Sequence, residues 1–226
     1  EDIEVLQNFI DNSIETLNVE IMDWYNNDGL VQWYELGWQE WNQGRLVKFS
    51  TYFLPYNSQI SYNCNLSGEI PTSISNWTEI TYLYLGYHPI STVPSQTLTG
   101  NIPYEISALT KLKNLYLHSN SFTGELPDIF EDLTNLETLW LDNNELDGSL
   151  PESLWSLVNI RELYLEHNQF YGNLSSNIES LVNLEHFWIN HNSISGVLPE
   201  EIFTLKKIIK LKINNNSFEG NISNNI

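Results

Sequence analysis

Glycine recurs at Gly68, Gly100, Gly124, Gly148, Gly172, Gly196 and Gly220, with one interval of 32 residues followed by five of 24. A fixed period of this length restricts the fold more than any other feature, because each period is one supersecondary unit that must stack on the next. Most of these glycines open a Gly-x-Ile/Leu-Pro phrase, as in Gly68 to Pro71, Gly100 to Pro103, Gly124 to Pro127, Gly148 to Pro151 and Gly196 to Pro199. After Gly172 and Gly220 the proline is replaced by Ser175 and Ser223. Four residues before each glycine from Gly124 onward stands an asparagine: Asn120, Asn144, Asn168, Asn192 and Asn216.

The positions between are apolar in step. One column runs Leu115, Leu139, Leu163, Phe187, Leu211, a second Leu117, Leu141, Leu165, Ile189, Ile213, and a third Phe122, Leu146, Phe170, Ile194, Phe218. The alternating segment around the first two columns predicts a short strand with one buried face. The asparagine is suited to satisfy backbone groups that a tightly turning chain would leave unpaired, and glycine with proline sets the turn. One unit cannot bury its own apolar face, so the units are expected to stack into a solenoid.

These motifs resemble the leucine-rich repeat, in the 24-residue L-x-x-L-x-L-x-x-N-x-[LF]-x-G-x-[IL]-P form of plant receptor ectodomains and polygalacturonase-inhibiting proteins. The resemblance covers residues 45–226 and implies an α/β fold: a curved leucine-rich-repeat solenoid with a parallel β-sheet on its concave face and short helical or irregular segments on its convex side. About seven repeats are expected. Residues 1–44 lie outside the period and read as an N-terminal cap, with Ile3, Leu6, Phe9 and Ile10 on one face of a short amphipathic helix. The stretch from Leu36 to Leu46 resembles the family's cap without its paired cysteines, Cys64 being the single cysteine of the chain. Trp24, Trp33, Trp38 and Trp41 are expected to seal that cap by packing.

Two repeats carry insertions after the concave strand, within residues 50–63 and 87–96. Equivalent positions of adjacent repeats are neighbours, so both loops are expected to project from one rim, where a rigid scaffold often carries binding function. The last residue, Ile226, occupies the slot of Ile74, Ile106, Phe130, Leu154, Ile178 and Ile202, and the apolar end is expected to be covered by another domain or chain.

Within each strand the residues between the leucines face outward. The central outward column reads Tyr84, Tyr116, Trp140, Tyr164, Trp188, Lys212. Beside it run Tyr82, Asn114, Thr138, Glu162, His186, Lys210 and, on the other side, Gly86, His118, Asp142, Glu166, Asn190, Asn214. A row of exposed aromatics flanked by acids marks a recognition surface. The expected ligand-binding residues are therefore Tyr84, Tyr116, Trp140, Tyr164, Trp188, Asp142, Glu162, Glu166 and His186. The ligand is a protein, a peptide or a neutral glycan hydrogen-bonded by the acids, and cross-strand stacking that stabilises the sheet is the structural alternative.

The formal net charge is −20 at pH 7, from 29 acids against 9 bases, which gives nucleic acid no electrostatic footing. The longest apolar runs, such as Ile202 to Leu205, fall far short of the roughly 20 residues that span a bilayer, so no membrane insertion is expected. No G-x-S-x-G, H-E-x-x-H or phosphate-cradling loop is present; an enzyme is not expected, and neither is a cofactor. His167 and His191 occupy equivalent slots but lack clear further ligands, so no metal site is expected either.

The leading expectation is thus an extracellular or cell-surface, receptor-like recognition module. The alternative is a surface-assembly element. Ten acids and no base precede Arg45 whereas Lys206, Lys207, Lys210 and Lys212 crowd the last repeat, so an acidic cap and a basic C-terminal edge could associate end to end. Ice binding, also known in this family, would need a flatter and more regular array. Asn65, Asn76, Asn173, Asn215 and Asn221 fit the glycosylation acceptor pattern.

Overall fold

The computed structural model describes residues 1–13, 36–53, 62–64, 66–86 and 97–220. Trp24, Trp33, Asn65, Asn221, Ile226, residues 54–61 of the first insertion and the whole of the second, 87–96, lie outside the described residues.

Eight strands form the principal sheet. The hairpin Trp38–Asn42 and Arg45–Ser50 is antiparallel, and the strands Tyr82–Tyr84, Asn114–Tyr116, Thr138–Trp140, Glu162–Tyr164, His186–Trp188 and Lys210–Lys212 then add in parallel, in sequence order. The register is that of the period: Leu83, Leu115, Leu139, Leu163, Phe187 and Leu211 are paired in succession. All but the last are fully or almost fully buried. After each asparagine the chain pairs again in short parallel strands, such as Ser121–Glu125 with Glu145–Asp147 and Tyr171–Asn173 with Ser193–Val197. In most repeats a 3-10 turn follows, as at Thr72–Asn76, Glu152–Ser156 and Ser176–Ser180. The first insertion starts as a small antiparallel pair, Tyr52 opposite Asn63 and Phe53 opposite Tyr62.

Proline prepares most of these turns by holding φ near its extended, pre-turn value: Pro71, Pro103, Pro151 and Pro199 have φ between −62° and −73°. Ser175, the replacement after Gly172, adopts φ −73° and uses its hydroxyl to accept a hydrogen bond from the Asn177 N–H. A side-chain cap thus does locally what the proline ring does elsewhere.

The asparagine column joins the units. Each Oδ1 accepts from a backbone N–H one repeat earlier: Leu98 to Asn120, Phe122 to Asn144, Leu146 to Asn168, Phe170 to Asn192 and Ile194 to Asn216, at 3.0–3.1 Å. Each Nδ2 donates to two carbonyls, one in its own repeat and one in the preceding repeat, as Asn144 does to Leu141 and Leu117. The carbonyls of Leu117, Leu141, Leu165 and Ile189 therefore each receive two asparagines.

The N-terminal helix α1 spans Asp2–Asn12. Its buried face is Asp2, Val5, Leu6, Phe9 and Ile10, while Ile3 is 43% exposed. The sequence pattern puts Ile3 on the inward face with Leu6, Phe9 and Ile10; the structure gives that place to Asp2. Its carboxylate is paired: Arg45 donates from Nε and a terminal nitrogen, at 2.9 and 3.0 Å, and the Leu46 N–H donates at 2.8 Å. Of the four tryptophans expected to seal the cap, Trp24 and Trp33 lie outside the described residues, and the expectation fails for Trp38. Trp38 is 44% exposed, and Trp41 is only partly buried against the core. The seal is made by Trp77, which is fully buried, lies against Phe9 and Phe49 at 5.9 and 5.3 Å, and donates from Nε1 to the Asp2 carbonyl. A large ring at the junction fills the space between helix and sheet, whereas Trp38 lies on an outer antiparallel strand.

Among the described residues no helix is long and apolar enough to cross a membrane.

Asn144→Ala should orphan the buried Phe122 N–H and remove one donor from Leu117 and Leu141. At about 1–3 kcal/mol for each buried group left unpaired, the variant is expected to lose about 2–4 kcal/mol in urea denaturation. Asn135→Ala, which removes an exposed bond to the Thr110 carbonyl, should lose less than about 1 kcal/mol.

Candidate functional site

The strand register sets Ser50, Tyr84, Tyr116, Trp140, Tyr164, Trp188 and Lys212 side by side. The aromatic rings meet in sequence. Tyr84 and Tyr116 are 5.2 Å apart and tilted, Tyr116 meets Trp140 edge-on at 4.9 Å, and Trp140, Tyr164 and Trp188 stack at 4.9 and 4.2 Å with interplanar angles of 22° and 7°. The Lys212 ammonium lies 3.3 Å from the Trp188 ring centroid and closes the stack with a cation–π contact.

This arrangement revises one sequence expectation. The column was read as solvent-exposed, yet Tyr164 is only 8% exposed. Strands in a sheet are about 4.8 Å apart, close to the thickness of stacked rings, so the rings of adjacent repeats cover each other's faces. What the stack offers outward is edges.

The two flanking rows differ. On the Glu162 side the groups satisfy one another. Trp140 Nε1 donates to Glu162 Oε2 at 3.0 Å, the Tyr164 hydroxyl lies 2.9 Å from His186 Nδ1, and His186 Nδ1 lies 4.0 Å from Glu162 Oε1. Burial pushes the Tyr164 hydroxyl up to about 12, with help from Glu162, Glu166 and Asp142.

On the other side stand Asp142, Glu166 and Asn190. Backbone bonds keep them abreast, since Ser119 donates to the Asp142 carbonyl, Asn143 to that of Glu166 and His167 to that of Asn190. Asp142 Oδ2 accepts from Asn143 Nδ2 at 2.7 Å, but Asp142 Oδ1, Glu166 Oε2 and Asn190 Oδ1 are buried and have no hydrogen-bonding partner among the described residues. Trp188 Nε1, in the neighbouring stack, is likewise buried without one. Glu166 is 8% exposed and Asn190 7%. Burial, and then the charge of Asp142, push the Glu166 carboxyl up to about 7, against a smaller opposing pull from Lys212. Burial raises Asp142 as well.

All nine sequence-expected residues thus lie on one strip, with Tyr84 and Tyr116 at its N-terminal end. Tyr84 is also 3.3 Å from His118 Nε2 through its hydroxyl. Asn190 was not among the expected residues. Its signal was its column, shared with Asp142 and Glu166, but an asparagine in an asparagine-rich chain carries no mark of burial.

His167 and His191 stack at 4.2 Å and an interplanar angle of 12°. Both adopt left-handed backbone, φ 55° and 57°, as Ser119, Asn143 and Asn215 do in the same slot. Burial, with the charges of His191 and Lys212, holds His167 below its ordinary value. Among the described residues, no group of three or more histidine, cysteine or acidic side chains is placed to hold a metal ion.

Families described as leucine rich repeat match the chain over residues 110–170 and 183–205. No curated protein matches it. Among solved structures, the Arabidopsis receptor kinase HAESA ectodomain, in complex with an N-terminally extended IDA peptide hormone, is 30% identical with a TM-score of 0.60, over 68% of this chain and 24% of its own. A TDR receptor is 29% identical with a TM-score of 0.64, over 71% of this chain and 26% of its own. The chain therefore spans about a quarter of the length of these receptors. A plant ice-binding protein is 24% identical with a TM-score of 0.69, over 96% of this chain and 71% of its own, a likeness of fold alone.

A carboxyl raised in the folded state costs nothing below its ordinary range and most above the raised value, so the burden of Glu166 grows as pH rises from about 4.5 to about 7 and is full above that. Glu166→Gln is therefore expected to stabilise the protein at pH 8 by about 1–2 kcal/mol, allowing for solvent screening, and to change stability little at pH 5. Thermal melts at the two pH values measure the difference.

Proposed function

From the premise that the chain is a leucine-rich-repeat protein of the plant-type, 24-residue class, we propose that it is an extracellular ligand-recognition module whose concave strip binds a peptide or an extended segment of a protein. Residues 45–226 act as one continuous solenoid and residues 1–44 as its N-terminal cap. Tyr84, Tyr116, Trp140, Tyr164 and Trp188 form the spine of the site, with Asp142 and Glu166 on one side and Glu162 and His186 on the other.

The observation that carries this reading is the asymmetry of the strip: a ring stack beside buried acceptor oxygens that nothing among the described residues satisfies. Buried polar groups are nearly always paired, and a partner that supplies donors would complete the row. The same stack argues for a peptide over a glycan. A sugar is held best by a free aromatic face, whereas the inner faces here are covered by neighbouring rings and the outer face of Trp188 by Lys212. Ring edges and oxygen acceptors suit the N–H groups of an extended chain. The peptide-hormone complex of the HAESA ectodomain gives the reading a precedent on this fold.

Selection from a displayed random dodecapeptide library, run beside a glycan array, tests the proposal. Peptide binders are expected, and Trp140→Ala/Trp188→Ala should weaken them about tenfold or more, as loss of aromatic anchors does at interfaces. The milder pair Trp140→Phe/Trp188→Phe, which keeps rings in the stack, controls for folding alongside thermal melts. Absence of peptide binders, glycan binders in their place, or unchanged binding by a folded alanine variant would refute the peptide reading.

A further inference from the structure

The strip's acidic row specifies one part of its ligand. We infer that Asp142 and Glu166 form a subsite for the guanidinium group of an arginine in the bound peptide, with Asn190 accepting a further N–H beside it. This rests on the peptide-recognition reading above and adds the chemical identity of the anchor.

Three observations converge on it. First, the partnerless atoms Asp142 Oδ1, Glu166 Oε2 and Asn190 Oδ1 are all oxygen acceptors, and they occur in three consecutive repeats. Asn190 is uncharged and more than nine-tenths buried, so the missing partners are not a matter of clustered acids alone. Secondly, Asp142 and Glu166 carry two carboxylates in neighbouring repeats with no cation among the described residues within ion-pairing distance of either; the salt bridges of Lys111, Lys113, Arg161 and Lys48 lie elsewhere. Thirdly, the adjoining ring stack already accepts a cation, the Lys212 ammonium on Trp188.

Guanidinium fits these features better than ammonium. Its planar fork of N–H donors can serve two carboxylates at once, and its weak hydration suits acceptors as little exposed as those of Glu166 and Asn190. Adjacent strands are about 4.8 Å apart, a separation that one fork with donors on opposite sides can bridge.

The charged and titratable groups whose fields reach Glu166 are Asp142 from the preceding repeat, Lys212 from two repeats on, and Tyr164 on its own strand; Asn190 of the following repeat is neutral. A bound guanidinium favours the ionised carboxylate, so binding must weaken as Glu166 takes up a proton. Because that proton binds near pH 7, the apparent affinity should fall about tenfold between pH 8 and pH 6.

The test uses two acetylated, amidated tripeptides, Gly-Arg-Gly and its citrulline counterpart, which has the same shape but no charge. Each is titrated into the whole chain while the indole N–H signals of Trp140 and Trp188 are followed by NMR. The arginine peptide is expected to shift both signals, the citrulline peptide neither. The response should vanish in Glu166→Gln and persist in Asp147→Asn, which removes an exposed charge away from the strip. Equal response to citrulline, an undiminished response in Glu166→Gln, or tighter binding at pH 6 than at pH 8 would overturn the assignment. If displayed dodecapeptides depend on Trp140 and Trp188 while the arginine tripeptide gives no shift, the guanidinium subsite falls and peptide recognition stands. If neither peptide class depends on the two tryptophans, the strip itself is the wrong surface.

Discussion

The asparagine at the end of each strand is the interaction on which the rest of the structure depends. A chain that turns every few residues carries backbone N–H and C=O groups into its interior where no sheet partner can reach them. Asn120, Asn144, Asn168, Asn192 and Asn216 meet that requirement with one acceptor and two donors apiece, and each spans two repeats. Consecutive units are thereby held in a single register. The leucine columns, the short second strands and the aromatic strip inherit it.

The fixed register explains both sides of the strip. Residues of one column meet their counterparts at the strand spacing, whatever they are. Where the column is aromatic, the rings stack and one of them, Tyr164, becomes buried. Where it contains two acids in neighbouring repeats, burial and then the charge of Asp142 push Glu166 up to about 7. The opposite row avoids such conflict because Glu162, His186, Trp140 and Tyr164 supply donors and acceptors to each other. Unpaired acceptors beside the ring stack are a cost to the fold.

At the N-terminal end of the sheet, where residues 1–44 lie outside the period, the logic is different. Helix α1 substitutes for a repeat, and a buried charge does the joining: the Asp2 carboxylate accepts from Arg45 and from the Leu46 N–H. Burying a carboxylate is tolerated only with such full pairing. The three-ring cluster of Phe9, Phe49 and Trp77 fills the remaining space.

Periodicity alone determined the solenoid, the parallel order of strands, the inward columns and the residues sharing the strip, because a repeat of fixed length fixes relative position without any knowledge of contacts. What periodicity does not encode is how two neighbouring side chains settle. That Trp77, not Trp38, closes the cap, that Asp2 belongs to the buried face of α1, and that Asn190 is a partnerless buried acceptor all depend on contacts between residues distant in sequence or on packing around them. The covering of the Tyr164 ring likewise required the observed ring planes, for a column of aromatics is the same in sequence whether its faces are open or stacked. Tertiary structure decided these points because burial and pairing are properties of a neighbourhood, and a one-dimensional pattern names the neighbours without orienting them.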